Sequence, residues 1–325
     1  MIRYGILGTA NIARTFAREK SINAEITAIA SRNIDKAKTF AKEFNIPETY
    51  SSYEELIDDE NIDAVYIPLP HHLHHEYTIR CALAGKHVLC EKPAALNVRE
   101  IEEMTDACRK HGVFFMEAFM YRFLPIHQRV KEFVKSGAIG RLRYIDFNFC
   151  IDIQSKFEGT FRWNKSLGGG ALFDLGIYGI SLSRYMTDQE PTVIHSLAHR
   201  DHPDAIDKFS MATLQLGDVV AHITSSFFTH AYYYTLSGDK GIIHVPTGTT
   251  GKMFENKLIL KMQGESEEHV ETFKPVNGYK AEAEYFARCI ERGEEPLLNG
   301  DESRKNLKVV EKIFEKETPL VLGSE

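Results

Sequence analysis

Two stretches of this 325-residue chain combine residue types and spacings suited to chemistry. Lys92 follows the apolar run His87-Val88-Leu89-Cys90 within Glu91-Lys92-Pro93, which puts an ammonium at the carboxyl end of a buried strand, where open α/β sheets hold their ligands. A lysine is costly to bury and changes protonation readily when desolvated, so one aimed into a crevice serves as a charge or a proton. The same tripeptide also fits a surface βα turn. Farther along, Gly168-Gly169-Gly170 leads through Ala171-Leu172-Phe173 to Asp174 and on to Tyr178. The glycines let backbone approach a ligand, and Asp174 and Tyr178, four apart on a helix, share one face. A carboxylate and a phenol held together can move a proton to or from a hydroxyl or carbonyl, and a nearby Lys92 would ease ionisation of the phenol. The structural alternatives are a helix-start charge for Asp174 and a hydrogen-bonded core aromatic for Tyr178.

These residues need a cofactor, and the start of the chain offers a place for one. Ile2-Arg3-Tyr4-Gly5-Ile6-Leu7 runs into Gly8-Thr9-Ala10-Asn11-Ile12-Ala13, a strand, tight turn and helix in sequence. In the dinucleotide fingerprint the first glycine makes the turn, the second admits the pyrophosphate and the third packs helix on strand. Gly8 keeps the first role, and Ala10 and Ala13 fill the others. The helix N-terminus behind the turn can receive a phosphate. The next strand, Glu25 to Ala30, ends in Ser31-Arg32-Asn33 without an acid. A hydroxyl followed by a guanidinium suits a 2′-phosphate, which favours NADP over NAD. Arg32 as a solvated charge is the alternative.

The elements that must position these groups follow from the periodicity. Over the first third the pattern predicts helices at Asp35–Phe44, Tyr53–Ile57, Leu73–Ala84 and Asn97–His111, and strands at Ala64–Pro68, His87–Cys90 and Val113–Met116. Such alternation indicates a doubly wound parallel sheet. Gly85 and Gly112 stand where they would stop two of the helices. Beyond about residue 120 the expectation is a helix at Pro125–Lys135, a strand at Arg141–Ile151 and a helix at Leu172–Tyr185. Strands at Thr192–His199, Lys208–Leu216, Val219–Phe227, Ala231–Ser237, Gly241–Val245 and Leu258–Met262 follow. Helices at Ala281–Arg292 and Ser303–Phe314 and a strand at Pro319–Leu322 close the chain. The fold class is thus α/β, a Rossmann-type domain followed by an α+β domain with a large, mainly antiparallel open sheet.

Composition narrows the function. A 43% hydrophobic content allows a sizeable core, and a net charge of −7 without a basic cluster argues against nucleic acid as partner. Met1-Ile2-Arg3 runs straight into a core strand and no apolar run reaches spanning length, so a cytoplasmic protein off the membrane is expected. Five cysteines, odd in number and without a Cys-x-x-Cys pair, suggest neither disulfides nor zinc. Cys90 reads as a packed strand-end residue rather than a reactive thiol.

The segments Gly5 to Ala13, Pro68-Leu69-Pro70 with His74, Gly85 to Pro93, Glu117 to Arg122, and Gly168 to Tyr178 together resemble the Gfo/Idh/MocA oxidoreductases across the whole chain. The resemblance implies an NAD(P)-binding domain over 1–120 and a substrate-binding and oligomerisation domain over 121–325, its C-terminal helices free to pack back on the first. It implies that Gly8, Thr9, Ala10, Asn11, Ile12, Ser31, Arg32, Pro68, Leu69, His71, His74, Glu91, Lys92 and Pro93 border the cofactor. It also implies a Lys92 beside nicotinamide and substrate hydroxyl, a cis bond before Pro93, and pairing of copies through the second sheet into a homodimer or homotetramer. Tyr178 stands where many members carry His, as in the branch with glucose-fructose oxidoreductase, dimeric dihydrodiol dehydrogenase and NADP-dependent xylose dehydrogenases. His71 replaces an Asn common in relatives.

His71-His72-Leu73-His74-His75 has spacings that can share a metal, but the resemblance implies none. Arg122 and Arg162 are candidates for substrate or cofactor phosphate and equally for an interdomain ion pair, with Trp163 as a pocket wall. The function expected is reversible, NADP-dependent hydride transfer at a hydroxyl or carbonyl carbon of a sugar, cyclitol or vicinal diol. Tyr178 carries the proton, Lys92 orients the hydroxyl, and Asp174 fixes the substrate or the lysine. The alternatives are a catalytically silent sensor of NADP or sugar and an NAD-dependent glycosidase.

Overall fold

Short apolar runs separated by amphipathic segments build a parallel sheet in the computed structural model, which describes residues 1–154, 157, 159–249 and 256–320. The chain divides into two units, Met1–Met120 with Asn277–Arg304, and Tyr121–Val276 with the residues from Lys305 onward. In the first, β1 (Ile2–Leu7), α1 (Asn11–Ala17), β2 (Ala24–Ala30), α2 (Ile34–Phe44), β3 (Glu48–Tyr50), α3 (Tyr53–Ile57), β4 (Ala64–Ile67), α4 (His74–Leu83), β5 (His87–Glu91), α5 (Val98–Lys110) and β6 (Phe115–Ala118) alternate. The six strands lie in the order β3-β2-β1-β4-β5-β6, all parallel. The order reverses between β1 and β4, and ligands of such sheets bind at that switch point. Every residue of β4 and β6 is buried, as strands covered on both faces require.

Local chemistry starts the helices. The side chains of Asn33, Ser52 and Asn97 accept first-turn N–H groups of α2, α3 and α5, each cap being worth about 1 kcal/mol. Gly85 and Gly112 take positive φ just beyond α4 and α5, where the sequence places the stops. Two details differ from expectation. The strand expected at Val113–Met116 runs from Phe115 to Ala118, which makes Glu117 a buried strand residue whose Oε1 accepts the Ala94 N–H at 2.9 Å. The short β3 has no run of buried apolar residues, and hence no pattern to betray it.

The second unit holds α6 (Pro125–Lys135), β7 (Leu142–Cys150), α7 (Ile177–Thr187), β8 (Thr192–His199), β9 (Phe209–Leu216), β10 (Val219–Ser226), β11 (Ala231–Gly238), β12 (Gly241–Val245), β13 (Asn256–Met262) and β14 (Glu268–Phe273). Helix α8 (Gly278–Arg292) then returns to the first unit and packs on β1, β2, β5 and β6. Helix α9 (Gly300–Glu315) and β15 (Glu317–Pro319) end the described chain. The second sheet runs β14-β13-β12-β11-β7-β10-β9-β8-β15. It is antiparallel except where β7 meets β10 and β8 meets β15. Ile145, Phe147 and Phe149 of β7 point into the core, while Asp146 and Asn148 between them stay half-exposed. Each such side chain, fully buried, stabilises by roughly 1.5–3 kcal/mol.

Three expectations here need correction. β14 was not anticipated because Glu268–Phe273 has no buried face to leave a period-2 pattern. The last strand begins earlier, at Glu317, and pairs parallel with β8; beyond it the Leu320 N–H reaches the Ala198 carbonyl at 2.8 Å, and Leu322 of the expected strand lies outside the described residues. The helix expected to run regularly from Leu172 begins as a π-turn over Leu172–Gly176 before α7 takes over. A single widened turn is too short for periodicity to distinguish from α-helix. No helix among the described residues is long and apolar enough to cross a membrane.

Candidate functional site

The first unit gathers the residues expected around a dinucleotide at the carboxyl ends of its strands. Gly8 turns the chain at φ +91°, its N–H donating to the Ala30 carbonyl at 2.8 Å, and a Cβ there would sit 3.1 Å from Leu69 Cδ2. A side chain would therefore meet both an unfavourable φ and a neighbour. Thr9 and Ala10 complete the turn. Ala10 occupies the N-cap of α1 and adds no side-chain acceptor, so the first N–H groups, at Asn11 and Ile12, are those a phosphate can meet. Ser31 is buried, its Oγ accepting the Asn33 N–H at 3.2 Å. Arg32 is exposed, with its side chain hydrogen-bonded to the Tyr53 hydroxyl. Burial raises the pKa of that phenol and Arg32 opposes the rise.

The loops after β4 and β5 are joined by one imidazole. His74 is fully buried, with Nδ1 2.9 Å from the Pro93 carbonyl oxygen and Nε2 2.8 Å from that of Leu69. Two carbonyls favour a doubly protonated ring, but burial outweighs them and pushes the pKa down to about 4. His74 is therefore neutral near pH 7 and donates to one carbonyl at a time. Pro68, Leu69 and Pro93 are buried around it, and the Lys92–Pro93 bond is cis. Lys92 itself is half-buried. Behind it the Tyr66 hydroxyl donates to Glu91 Oε1 at 2.6 Å, and the Tyr66 ring stacks on Phe16 of α1 with centroids 4.1 Å apart. The second turn of α1 and the strand leading to Lys92 thus share one packed assembly. His71 is buried with its ring 5.8 Å from that of His74, while His75 pairs with Glu103 at 2.8 Å. Among the described residues no three His, Cys, Asp or Glu side chains are grouped to hold a metal ion. Cys90 is buried, and desolvation first, then Glu117 and Glu91, raise its pKa well above that of an ordinary thiol.

Asp174 and Tyr178 belong to the second unit. Tyr178 lies buried in the first turn of α7, its ring 5.6 Å from Phe149 and 6.2 Å from Tyr121. Asp174 sits in the π-turn, and its Oδ2 accepts from Arg162 Nε at 2.7 Å. The Arg162 guanidinium also lies 4.8 Å from the ring centroids of Phe157 and Phe161. This pair joins two residues that sequence reasoning treated separately. Arg122 instead stacks on Tyr185, 3.8 Å from its ring centroid. Trp163 lies 5.6 Å from Phe227, and its buried indole N–H has no hydrogen-bond partner among the described residues.

One residue of this region was missed. Asp207 is fully buried, its Oδ2 accepting the Leu172 N–H at 2.7 Å and its carbonyl accepting the Ala171 N–H at 2.8 Å. Gly170 has φ +123°, and a Cβ there would fall 2.2 Å from Asp207 Oδ1. Asp207 is therefore the reason the third glycine is a glycine. Desolvation raises its pKa to about 7 against the opposing charge of Arg200, which is itself paired with Glu317 through two contacts of 2.6 and 2.7 Å. Nothing in the sequence around Asp207 signals this role, because its partners lie 35 residues back along the chain.

The model of the GFO/IDH/MocA oxidoreductase family, NAD-binding Rossmann fold, matches residues 2–119, and that of the GFO/IDH/MocA C-terminal domain matches residues 127–244. D-xylose 1-dehydrogenase (NADP(+)) 2 of Haloferax volcanii is 33% identical, over 96% of each chain. Trans-1,2-dihydrobenzene-1,2-diol dehydrogenase of Xenopus tropicalis is 30% identical over 91% of this chain and 92% of its own. A 3-ketoreductase from Actinomadura kijaniata, solved in complex with NADP and TDP-benzene, superposes with a TM-score of 0.90 at 26% identity over 99% of each chain.

Proposed function

The chain belongs to the GFO/IDH/MocA oxidoreductase family, and on that footing we propose that it moves hydride between NADP and a hydroxyl or carbonyl carbon of a sugar or vicinal diol, with Tyr178 carrying the proton. The observation that carries the assignment is the Arg162–Asp174 ion pair one turn ahead of a buried Tyr178. An ion-paired carboxylate is a weakened base, so Asp174 anchors and the phenol exchanges the proton. The first unit fits the cofactor. The turn at Gly8 and the uncapped first turn of α1 suit its pyrophosphate, and Ser31 with the exposed Arg32, without an acid after β2, suits a 2′-phosphate. Bound NADP supplies the hydride acceptor or donor.

In the oxidative direction Tyr178 Oη would take the proton of the substrate hydroxyl, and NADP, when bound, would supply the hydride acceptor. The Lys92 ammonium orients the hydroxyl and favours the phenolate. His74 keeps the loops of Leu69 and Pro93 in register so that Lys92 is presented from a fixed backbone. Xylose and a trans-dihydrodiol, the substrates named for the two relatives, share adjacent hydroxyls, which is the feature assigned to this chain's substrate. Self-association into a homodimer or homotetramer is assigned to the outer face of the second sheet, where Val220 and Ile242 are more than a third exposed, and the working compartment is assigned to the cytoplasm. The test is an assay with D-xylose and with trans-dihydrobenzene-diol, NADP as oxidant, read by absorbance of the reduced cofactor. Tyr178→Phe and Lys92→Met are expected to lower turnover about 10²–10⁴-fold. Near wild-type turnover in both variants sinks the assignment.

A further inference from the structure

We propose that Asp207 is a positioning residue: its buried carboxylate fixes the glycine segment and π-turn that carry Asp174 and Tyr178, and protonation of that carboxylate loosens them. The importance of the two side chains rests on the function proposed above; the device itself does not.

The geometry is a cap reached through tertiary structure. Asp207 holds two consecutive N–H groups at the start of the π-turn, Ala171 through its carbonyl and Leu172 through Oδ2. Its other carboxylate oxygen occupies the space beside Gly170. Gly170 in turn donates to the Arg162 carbonyl at 3.1 Å, and Arg162 holds Asp174. The carboxylate therefore touches Gly170 and Leu172 directly, and reaches the Arg162 side of the turn only through the Gly170 N–H. Behind it Arg200 Nη2 stands 3.9 Å from Oδ1, and the guanidinium is locked by Glu317 with its Cζ 5.6 Å from the Phe314 centroid. Phe314 reaches back to Phe173 of the π-turn, with centroids 5.6 Å apart.

An ionised Asp207 is a charge-assisted acceptor for the Leu172 N–H and a partner for Arg200. A protonated one is a weaker acceptor and loses the attraction of Arg200. With the carboxyl poised near 7, a change of about one pH unit redistributes these states. The other charged or titratable groups around it are Asp174 within the π-turn, Arg162 and Lys165 ahead of it, His199 of β8, Asp201, His202 and Asp204 of the following loop, and Lys208. His199, His202 and the acids remain in any variant of Asp207, so a change confined to that variant isolates its carboxyl.

The chain's single tryptophan, Trp163, lies next to Arg162 and lines a cavity of about 670 Å³ with Ile206 and Lys208, the neighbours of Asp207 in sequence. Its emission needs no substrate. In the full chain the wild-type emission is expected to titrate with a midpoint near 7, and Asp207→Asn, which keeps an oxygen acceptor, to show no such transition. Arg200→Gln, which removes the opposing cation, should move the midpoint upward. With NADP and D-xylose, Asp207→Ala is expected to lower kcat about 10²-fold through misplacement of Tyr178 while leaving the KM for NADP unchanged. A transition that persists in Asp207→Asn, a wild-type emission flat from acid to alkaline pH, or an unmoved midpoint in Arg200→Gln overturns the proposal. Tyr178→Phe tests the chemistry separately, so failure of the proposed reaction leaves the fluorescence result standing.

Discussion

The group that ties the loops of the first unit together is His74, neutral and pinned between the Leu69 and Pro93 carbonyls, whereas the group beneath the glycine segment of the second is Asp207, a carboxylate backed by Arg200. Burial acts on both and pushes them in opposite directions, to about 4 for the histidine and about 7 for the aspartate. Desolvation always penalises the charged form. The difference lies in the surroundings. His74 has only backbone dipoles to favour its charge and loses it, while Asp207 has a guanidinium and stays within reach of ionisation at neutral pH. The His74 clasp is thereby insensitive to pH near 7, and the Asp207 cap is poised to respond.

Variants of the two units can break this contrast. The largest effect is expected from Tyr178→Phe, which should lower kcat about 10²–10⁴-fold with the KM for NADP unchanged; a change in NADP affinity alone would move Tyr178 to the cofactor's side of the division. Next comes acid stability. The unfolded chain binds a proton at His74 near 6.5 and the folded one only near 4, so this contribution is complete above 6.5 and lost as pH falls through 4. The loss is about 3 kcal/mol, and a denaturant midpoint that does not fall over that window refutes a neutral His74. Asp207 carries the opposite sign. Its raised pKa favours the folded state when protonated, and that benefit disappears as pH rises from about 4 to about 7, so Asp207→Asn should be no less stable than wild type in alkaline buffer.

A smaller effect belongs to Arg32→Ala, expected to raise the KM for NADP about tenfold or more, in keeping with a charge-assisted contact of about 1.5–3 kcal/mol, and to leave kcat and NAD-linked activity nearly unchanged. Equal losses with both cofactors would assign Arg32 to the fold. The smallest concerns a local cap. Asn97→Ala should cost about 1 kcal/mol at any pH, since an amide does not titrate, and a pH-dependent cost would show that titration is not what distinguishes the Asp207 cap.

What the sequence made legible was local. Gly8 and its turn, the lysine behind β5, the caps Gly85 and Gly112 and the alternation of β7 each follow from neighbours within a few residues, and the structure places them accordingly. The bond between Arg162 and Asp174 spans 12 residues of glycine-rich chain without a period. Asp207 reaches its turn over 35, and β14 presents polar residues on an exposed edge. These features arise from tertiary placement rather than from propensity, so no window along the chain contains them. His74 was singled out by the resemblance, but its double carbonyl clasp needed coordinates.

The route of the chain has a consequence for how the molecule is made. Helix α8, which covers β1, β2, β5 and β6, belongs to the first unit yet is encoded after all but the last strand of the second sheet. A ribosome that has emitted the first 276 residues has therefore released a parallel sheet still missing one of its covering helices, alongside a second sheet lacking only β15. Domains commonly fold as units in order of synthesis; here the earlier one must wait for the later. Truncation before Asn277 should thus leave the face of the first sheet that α8 covers, over β1, β2, β5 and β6, prone to aggregation, and neither unit can be excised as one continuous fragment.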